Sequence, residues 1–275
     1  MVAPDTSLPA ASKWRSELRF FAVLMLGTFA LNSLIVKPFY IPSESMLPGL
    51  MTGDNIVVSK FPYGWSFISP SFHVLPPLPG RLFGRVPRRG DVVVFTPPDR
   101  DRRSEDWIKR VIGLPGDQVQ MVNGRLWLNG RRVHTTDLGR RAFPVDPNFA
   151  CRGGGQLSRG GRSCSLHIIR ETLPDGTSYD TIENGIGAAD DTPPYVVPAG
   201  HVFVMGDNRD NSADSRVPIA QTGLGGAIPV ENIAGRAEFI SFSVDGSAGW
   251  NPLRWPWSLR TERAGVSLRP KRAMP

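Results

Sequence analysis

The chain has 275 residues, long for one ordinary domain but within range for one large all-β domain or a domain with insertions. Lysine and arginine number 32 against 25 aspartate and glutamate, and the net charge of +7 suits an anionic partner, either nucleic acid or phospholipid head groups. The basic residues are spread along the chain with no dense basic helix and no Cys/His zinc pattern, which argues against nucleic acid and leaves the membrane.

Residues 20–36, FFAVLMLGTFALNSLIV, carry no charge and predict an apolar helix that Pro38 would end. At about 1.5 Å per residue the run falls slightly short of a roughly 30 Å hydrocarbon core, a deficit that Leu18 and the snorkelling side chains of Arg19 and Lys37 would cover. An uncleaved signal anchor over 20–37 fits better than a cleaved signal, because the run is long for such a segment and no small-x-small site follows it. Lys13, Arg15 and Arg19 precede the span and only Lys37 follows closely, which places residues 1–19 in the cytoplasm and the rest outside.

Beyond the anchor, short β-branched and aromatic runs alternate with turn residues: 55–61, 91–97, 107–113, 117–122, 125–130, 195–198, 201–207 and 233–244. Asn123-Gly124 and Asn129-Gly130 are hairpin-turn signals. The expected fold is mainly β, a coiled antiparallel sheet or partly closed barrel behind one transmembrane helix. Its catalytic part is expected over 38–133 and 197–248. A polar insertion with little core of its own divides these at 134–196, and 249–275 is a basic aromatic tail. Residues 64–90 read as a long loop or extended hairpin. Its Trp65, Phe67, Phe72, Leu75, Leu78 and Phe83, with segment 250–260, either rest in the membrane interface or pack on the core.

Cys151 and Cys164 are the only cysteines and bracket a Gly- and Arg-rich stretch with no means of ordering itself. In an oxidising compartment a disulfide between them is expected, constraining the unfolded chain by about 3 kcal/mol in the loop-entropy account. Free thiols or a metal pair are the alternatives. His73, His134, His167 and His201 stand alone, without H-E-x-x-H or C-x-x-C, so neither a metal nor a cofactor is expected. No G-x-S-x-G occurs, and no lysine has a serine three residues before it.

Only Lys13, Lys37, Lys60, Lys109 and Lys271 occur among 32 basic residues. Arginine stays charged in a protein, whereas a desolvated lysine can act as a base. Lys109 sits in WIKRVIGLPGD among apolar neighbours, where strand alternation turns it either toward an apolar site or to a solvated face.

Four stretches, in order behind an anchor, resemble the boxes of the bacterial type I signal peptidases, the membrane-anchored Ser-Lys endopeptidases. They are IPSESMLPGL, GDNIVVSKFPYG, RRGDVVVF followed by WIKRVIGLPGD, and MGDNRDNSADSR. The resemblance implies a mostly β enzyme that cuts signal peptides from exported preproteins at the outer, periplasmic face of the inner membrane, close to the secretion translocon. By position it makes Ser45 the nucleophile and Lys109 the general base. Ser43 and the Ser45 N–H would form the oxyanion hole, and Ser212 would orient the lysine. Asp207, Arg209, Asp214 and Arg216 would brace the last box as charge pairs, with an ordinary polar turn the alternative for Arg209. Ile41, Pro42, Met46, Leu50, Trp107 and Ile108 are expected to desolvate the lysine and to form shallow pockets for small substrate side chains. A self-cleaving Ser-Lys repressor lacks an anchor, and a non-enzymatic anchored β module has no need of the two catalytic positions.

Overall fold

The computed structural model describes residues 10–70, 75–76, 78–152, 154–183, 185, 187–249 and 251–272, so Phe72, His73 and Trp250 lie outside the described residues. A single long helix, Ala10–Leu34, begins earlier than its apolar run and stops before Pro38. Its outward side chains, Phe20, Met25 and Leu26 among them, are exposed along its length. Proline does not end it. Pro38 instead lies inside the strand Val36–Tyr40, opposite Val57, at the edge of a sheet, where a missing N–H is tolerated.

Three antiparallel sheets follow. The largest has seven strands in the order Val36–Tyr40, Asp54–Ser59, Ile233–Ser243, Val92–Phe95, Trp107–Gly113, His201–Met205 and Ile228–Pro229. Register shifts interrupt Ile233–Ser243 against both of its neighbours, and bulges of this kind curl a sheet. In the four-stranded sheet, Gln118–Val122, Arg125–Leu128 and Arg131–Arg132 are joined by the two Asn-Gly turns. Both residues of each turn are left-handed, with φ of 48° and 69° at Asn123 and Gly124 and 54° and 74° at Asn129 and Gly130, as tight hairpins require.

The third sheet corrects the expectation for residues 134–196. Strands His134–Pro144, Ser163–Thr172 and Thr177–Ile182 form an ordered sheet, joined at one edge by Lys271–Arg272 from the tail. Phe143, Phe149, Cys164, Leu166, Ile168 and Ile182 form a core with Leu47 and Met51, two residues just beyond Ser45. The sequence hid this core because its apolar residues alternate with Ser, His, Arg and Glu, and their partners Leu47 and Met51 are more than ninety positions away. Met46 and Leu50 turn instead into the core of the large sheet, beside Ile41, Ile56, Val92 and Ile108. The turn after Ser45 is thus wedged between two cores.

Buried charge pairs join the segments. Asp214 pairs with Arg216 inside the last box, but Asp207 and Arg209 reach outside it. Arg110 binds Asp207 through two hydrogen bonds of 2.7 and 2.6 Å, and Arg209 binds Glu171 through two of 2.6 Å. Burial of Arg209 beside Glu171 removes the ordinary-turn alternative. The C-terminal tail is also bound down: Arg260 holds Asp146 and the Thr52 carbonyl, and Arg263 holds Asp54 and the Gly49 carbonyl. In loop 64–90, Phe67 packs on the main core while Leu75, Leu78 and Phe83 are exposed.

Glu171→Gln leaves the Arg209 guanidinium buried without its carboxylate. The expected loss is about 3 to 5 kcal/mol of unfolding free energy, read as a lower urea midpoint; an unchanged midpoint shows that the pair contributes nothing net.

Candidate active site

Ser45 and Lys109 come from segments 64 positions apart and meet through the sheet. Lys109 lies in the strand Trp107–Gly113, opposite Val93, and every residue of that strand from Ile108 onward is buried. Lys109 and Arg110 are neighbours in an extended chain and therefore point to opposite faces. Arg110 meets Asp207, while Lys109 meets the turn that carries Ser45. Lys109 Nζ donates to Ser45 Oγ at 2.9 Å and to the Ile108 carbonyl at 2.9 Å. The lysine is 5% exposed and the serine 8%.

Burial lowers the Lys109 pKa to about 8, against the opposing pull of Asp214 and Asp207, with Arg216 adding to the decrease. Asp214 would be raised by burial, yet Arg216 and the Gly206 N–H hold it below the ordinary carboxylate range. Lys60 is also lowered to about 8, chiefly by burial, but its amine donates to the Ser69 carbonyl in the neighbouring loop.

Ser43 Oγ lies 3.3 Å from Ser45 Oγ. The backbone around them is held by a residue that sequence reasoning did not single out, Asn208, whose N–H donates to the Ser45 carbonyl and whose side-chain amide donates to the Glu44 carbonyl, both at 3.1 Å. Its position inside the last box was the available signal. Arg110 and Glu171 were also missed. A basic residue beside Lys109 in an apolar strand hinted at the first, and nothing local marked the second.

Ser212 differs from expectation. Its hydroxyl is buried with no hydrogen-bond partner, so the expected hydrogen bond to the lysine is not made, and the second partner of Lys109 Nζ is the Ile108 carbonyl. The expected pocket residues also divide. Ile41, Met46, Leu50 and Ile108 are buried together and form a packed floor, since little of their surface is open. Trp107 is half-buried, with its ring 5.5 Å from Lys109 Nζ and its indole N–H on Glu105. Pro42 is exposed and lines an open cleft of about 600 Å³ with Ser43, Glu44, Ser45, Asn148, Arg152 and Asp210. The sulfurs of Cys151 and Cys164 are bonded at 1.99 Å. Among the described residues no cluster of His, Cys, Asp and Glu is placed to hold a metal ion.

The structure is thus a curled, mainly β fold in which a serine meets a buried lysine beside an open cleft. The chain belongs to the signal peptidase family, peptidase S26, whose family model matches residues 14–242. It is 34% identical over 248 residues to a signal peptidase I of Rickettsia canadensis, covering 87% of this chain and 83% of that one. It is 35% identical over 238 residues to a signal peptidase I of Rickettsia typhi, covering 84% and 81%. The crystal structure of a signal peptidase I from Enterococcus faecalis is 23% identical and covers 55% of this chain and 97% of that one, with a TM-score of 0.28. Family membership makes the chain a peptidase of exported proteins.

A Cβ added at Gly206 would lie 2.2 Å from Ser212 Oγ and 2.5 Å from the Ser45 carbonyl. Gly206→Ala must therefore shift the turn that holds the serine, and kcat is expected to fall about 10²-fold in protein that still unfolds cooperatively. A normal kcat shows that the turn tolerates the displacement.

Proposed function

We propose that this protein removes N-terminal signal peptides from exported preproteins, with Ser45 as nucleophile and Lys109 as general base. The observation that carries the reading is the 2.9 Å contact between Lys109 Nζ and Ser45 Oγ in a place where burial lowers the lysine pKa to about 8. A neutral amine there accepts the serine proton as Oγ attacks the scissile carbonyl. The Ser43 hydroxyl and the Ser45 N–H donate to the oxyanion that forms. The lysine ammonium then passes its proton to the departing amine, leaving an ester on Ser45. Water, deprotonated by the same lysine, resolves the ester and restores the serine.

The apolar helix would anchor the enzyme. Its window Trp14–Leu34 is long and apolar enough to cross a membrane, and only 6% of it is buried. Basic residues on its N-terminal side favour a cytoplasmic N-terminus and a catalytic domain on the outer, periplasmic face of the inner membrane. The strand Val36–Tyr40 and the nucleophile turn follow within a few residues, so the site is tethered close to the bilayer, beside the translocon that delivers preproteins. Exposed Leu253, Trp255 and Trp257 in the tail suit the interface.

Lys109→Arg puts a permanent cation in an apolar site and is expected to abolish cleavage of a signal-peptide substrate about as completely as Ser45→Ala. Substantial turnover by the folded arginine variant overturns the Ser-Lys reading. In the wild type, kcat/KM is expected to rise with pH through an apparent pKa near 8, because the lysine must be neutral to act. The sign for stability follows from the same depressed value. Between about pH 8 and the unfolded-state value near 10.4, the unfolded chain binds more protons, so Lys109 makes stability rise with pH across that window. Ser43→Ala is expected to lower kcat by about 10² to 10³ with the fold intact, and unchanged turnover removes Ser43 from the oxyanion hole.

A further inference from the structure

A separate cavity lies at a seam where three distant parts of the chain meet. The turn after Ser45 forms one side through residues 46 and 48–50, the sheet built from 134–182 a second through Arg141, Arg170 and residues 178–180, and the tail a third through 266–271. It shares no lining residue with the open cleft beside Ser45. Its volume is about 180 Å³, room for about six waters or for a small ion with part of its hydration shell.

The lining is unbalanced in charge. Arg110, Arg141, Arg170, Arg269 and Lys271 contribute five cations, against the two carboxylates of Asp180 and Asp207. Pairing does not correct the excess. Arg110 takes Asp207 at 2.6 Å, but Arg141 and Arg170 must share Asp180, at 3.3 and 2.8 Å. Arg269 turns to Glu238 at 2.7 Å, a carboxylate already held by Arg236 at 3.0 Å. Lys271 is exposed and, among the described residues, makes no ion pair. Counting Arg236 and Glu238, six cations meet three carboxylates. Donors are also to spare, because buried Arg110 uses three of its five N–H groups, on Asp207 and the Gly90 carbonyl. Like charges gathered in this way repel one another, and an anion between them relieves the repulsion.

We propose that this cavity binds a phosphate-bearing anion, either free phosphate or the head group of an anionic phospholipid. Arginine forks match phosphate oxygens two at a time, Lys271 adds a mobile point charge, and the Ser178 and Ser267 hydroxyls in the lining are further donors. The ligand touches the turn after Ser45, the 134–182 sheet and the tail together, a combination that exists only in the folded chain, so its binding stabilises the fold. The site does not depend on the peptidase reading and stands whether or not Ser45 and Lys109 react as proposed.

The test titrates the full-length protein in neutral detergent with inorganic phosphate, using chloride at equal ionic strength as the reference, and reads both bound labelled phosphate and Tm. Wild type is expected to bind one phosphate per chain and to gain about 3 to 6 °C in Tm at ten times Kd, saturably, whereas the general salting effect of phosphate is unsaturable. Lys271→Gln removes an exposed, unpaired charge with the fold intact and should weaken binding about 2- to 5-fold. The double reversal Arg141→Glu with Lys271→Glu should weaken it at least 10-fold. Arg131→Glu with Arg132→Glu makes the same change in net charge at exposed positions of the four-stranded sheet and should leave binding as in wild type. No saturable binding in the wild type, or unaltered affinity in Lys271→Gln, overturns the assignment, as does equal loss in the two reversals. The source is read in phosphatidylcholine bilayer discs with and without phosphatidylglycerol and no added phosphate. A Tm raised by phosphatidylglycerol in wild type and in Arg131→Glu with Arg132→Glu, but not in Arg141→Glu with Lys271→Glu, identifies the lipid head group; any other pattern there, with saturable phosphate binding, identifies the free ion.

Discussion

The structure depends on burying one amine, that of Lys109, inside a protein rich in fixed positive charge. Burying Lys109 costs its cation enough hydration to bring its pKa to about 8, and a carboxylate at ion-pair distance would undo that shift. The surrounding cations are therefore arginines, each given its own acid. Arg110 is matched by Asp207, Arg209 by Glu171 and Arg216 by Asp214, all buried. Among the described residues, Lys109 alone of these four neighbours has a hydroxyl and a carbonyl as partners in place of a carboxylate. Arginine suits the paired positions because it cannot lose its proton, and lysine suits the unpaired one because it can.

The contact between Lys109 and Ser45 lasts only if the serine stays within reach of the amine, and the packing around the turn keeps it there. Met46 and Leu50 enter the core of the large sheet while Leu47 and Met51 enter the core of the sheet built from 134–182, so the turn cannot rotate without opening one of them. Asn208 fastens its carbonyls on one side. On another, Arg260 and Arg263 bind the carbonyls of Thr52 and Gly49, which gives the C-terminal tail a positional role at the site. The region between 134 and 182 accordingly packs on the turn that carries Ser45 and supplies one wall of the cleft beside it.

Much of this was legible in the chain because the signals were local. The apolar run, the two Asn-Gly turns and the short β-branched strands each state their structure within a few residues. The scarcity of lysine among arginines marked Lys109 on chemical grounds, and the ordered boxes paired it with Ser45. The end of the helix was misplaced because Pro38 reads as a breaker, whereas the edge of a sheet accommodates it.

What the sequence by itself determined was the apolar helix, most of the strands outside 134–182, and the serine and lysine that the fold brings together, because propensity, charge and side-chain chemistry belong to single residues and short windows. What only the tertiary structure decided was which partner each buried polar group takes. Asp207 and Arg209 pair outside their own box, Ser212 makes no hydrogen bond to the lysine, and the alternating residues of 163–172 form a core with the turn that carries Ser45. These contacts join residues tens to more than a hundred positions apart. Their energies depend on burial and on mutual orientation, and neither exists until the sheets have come together.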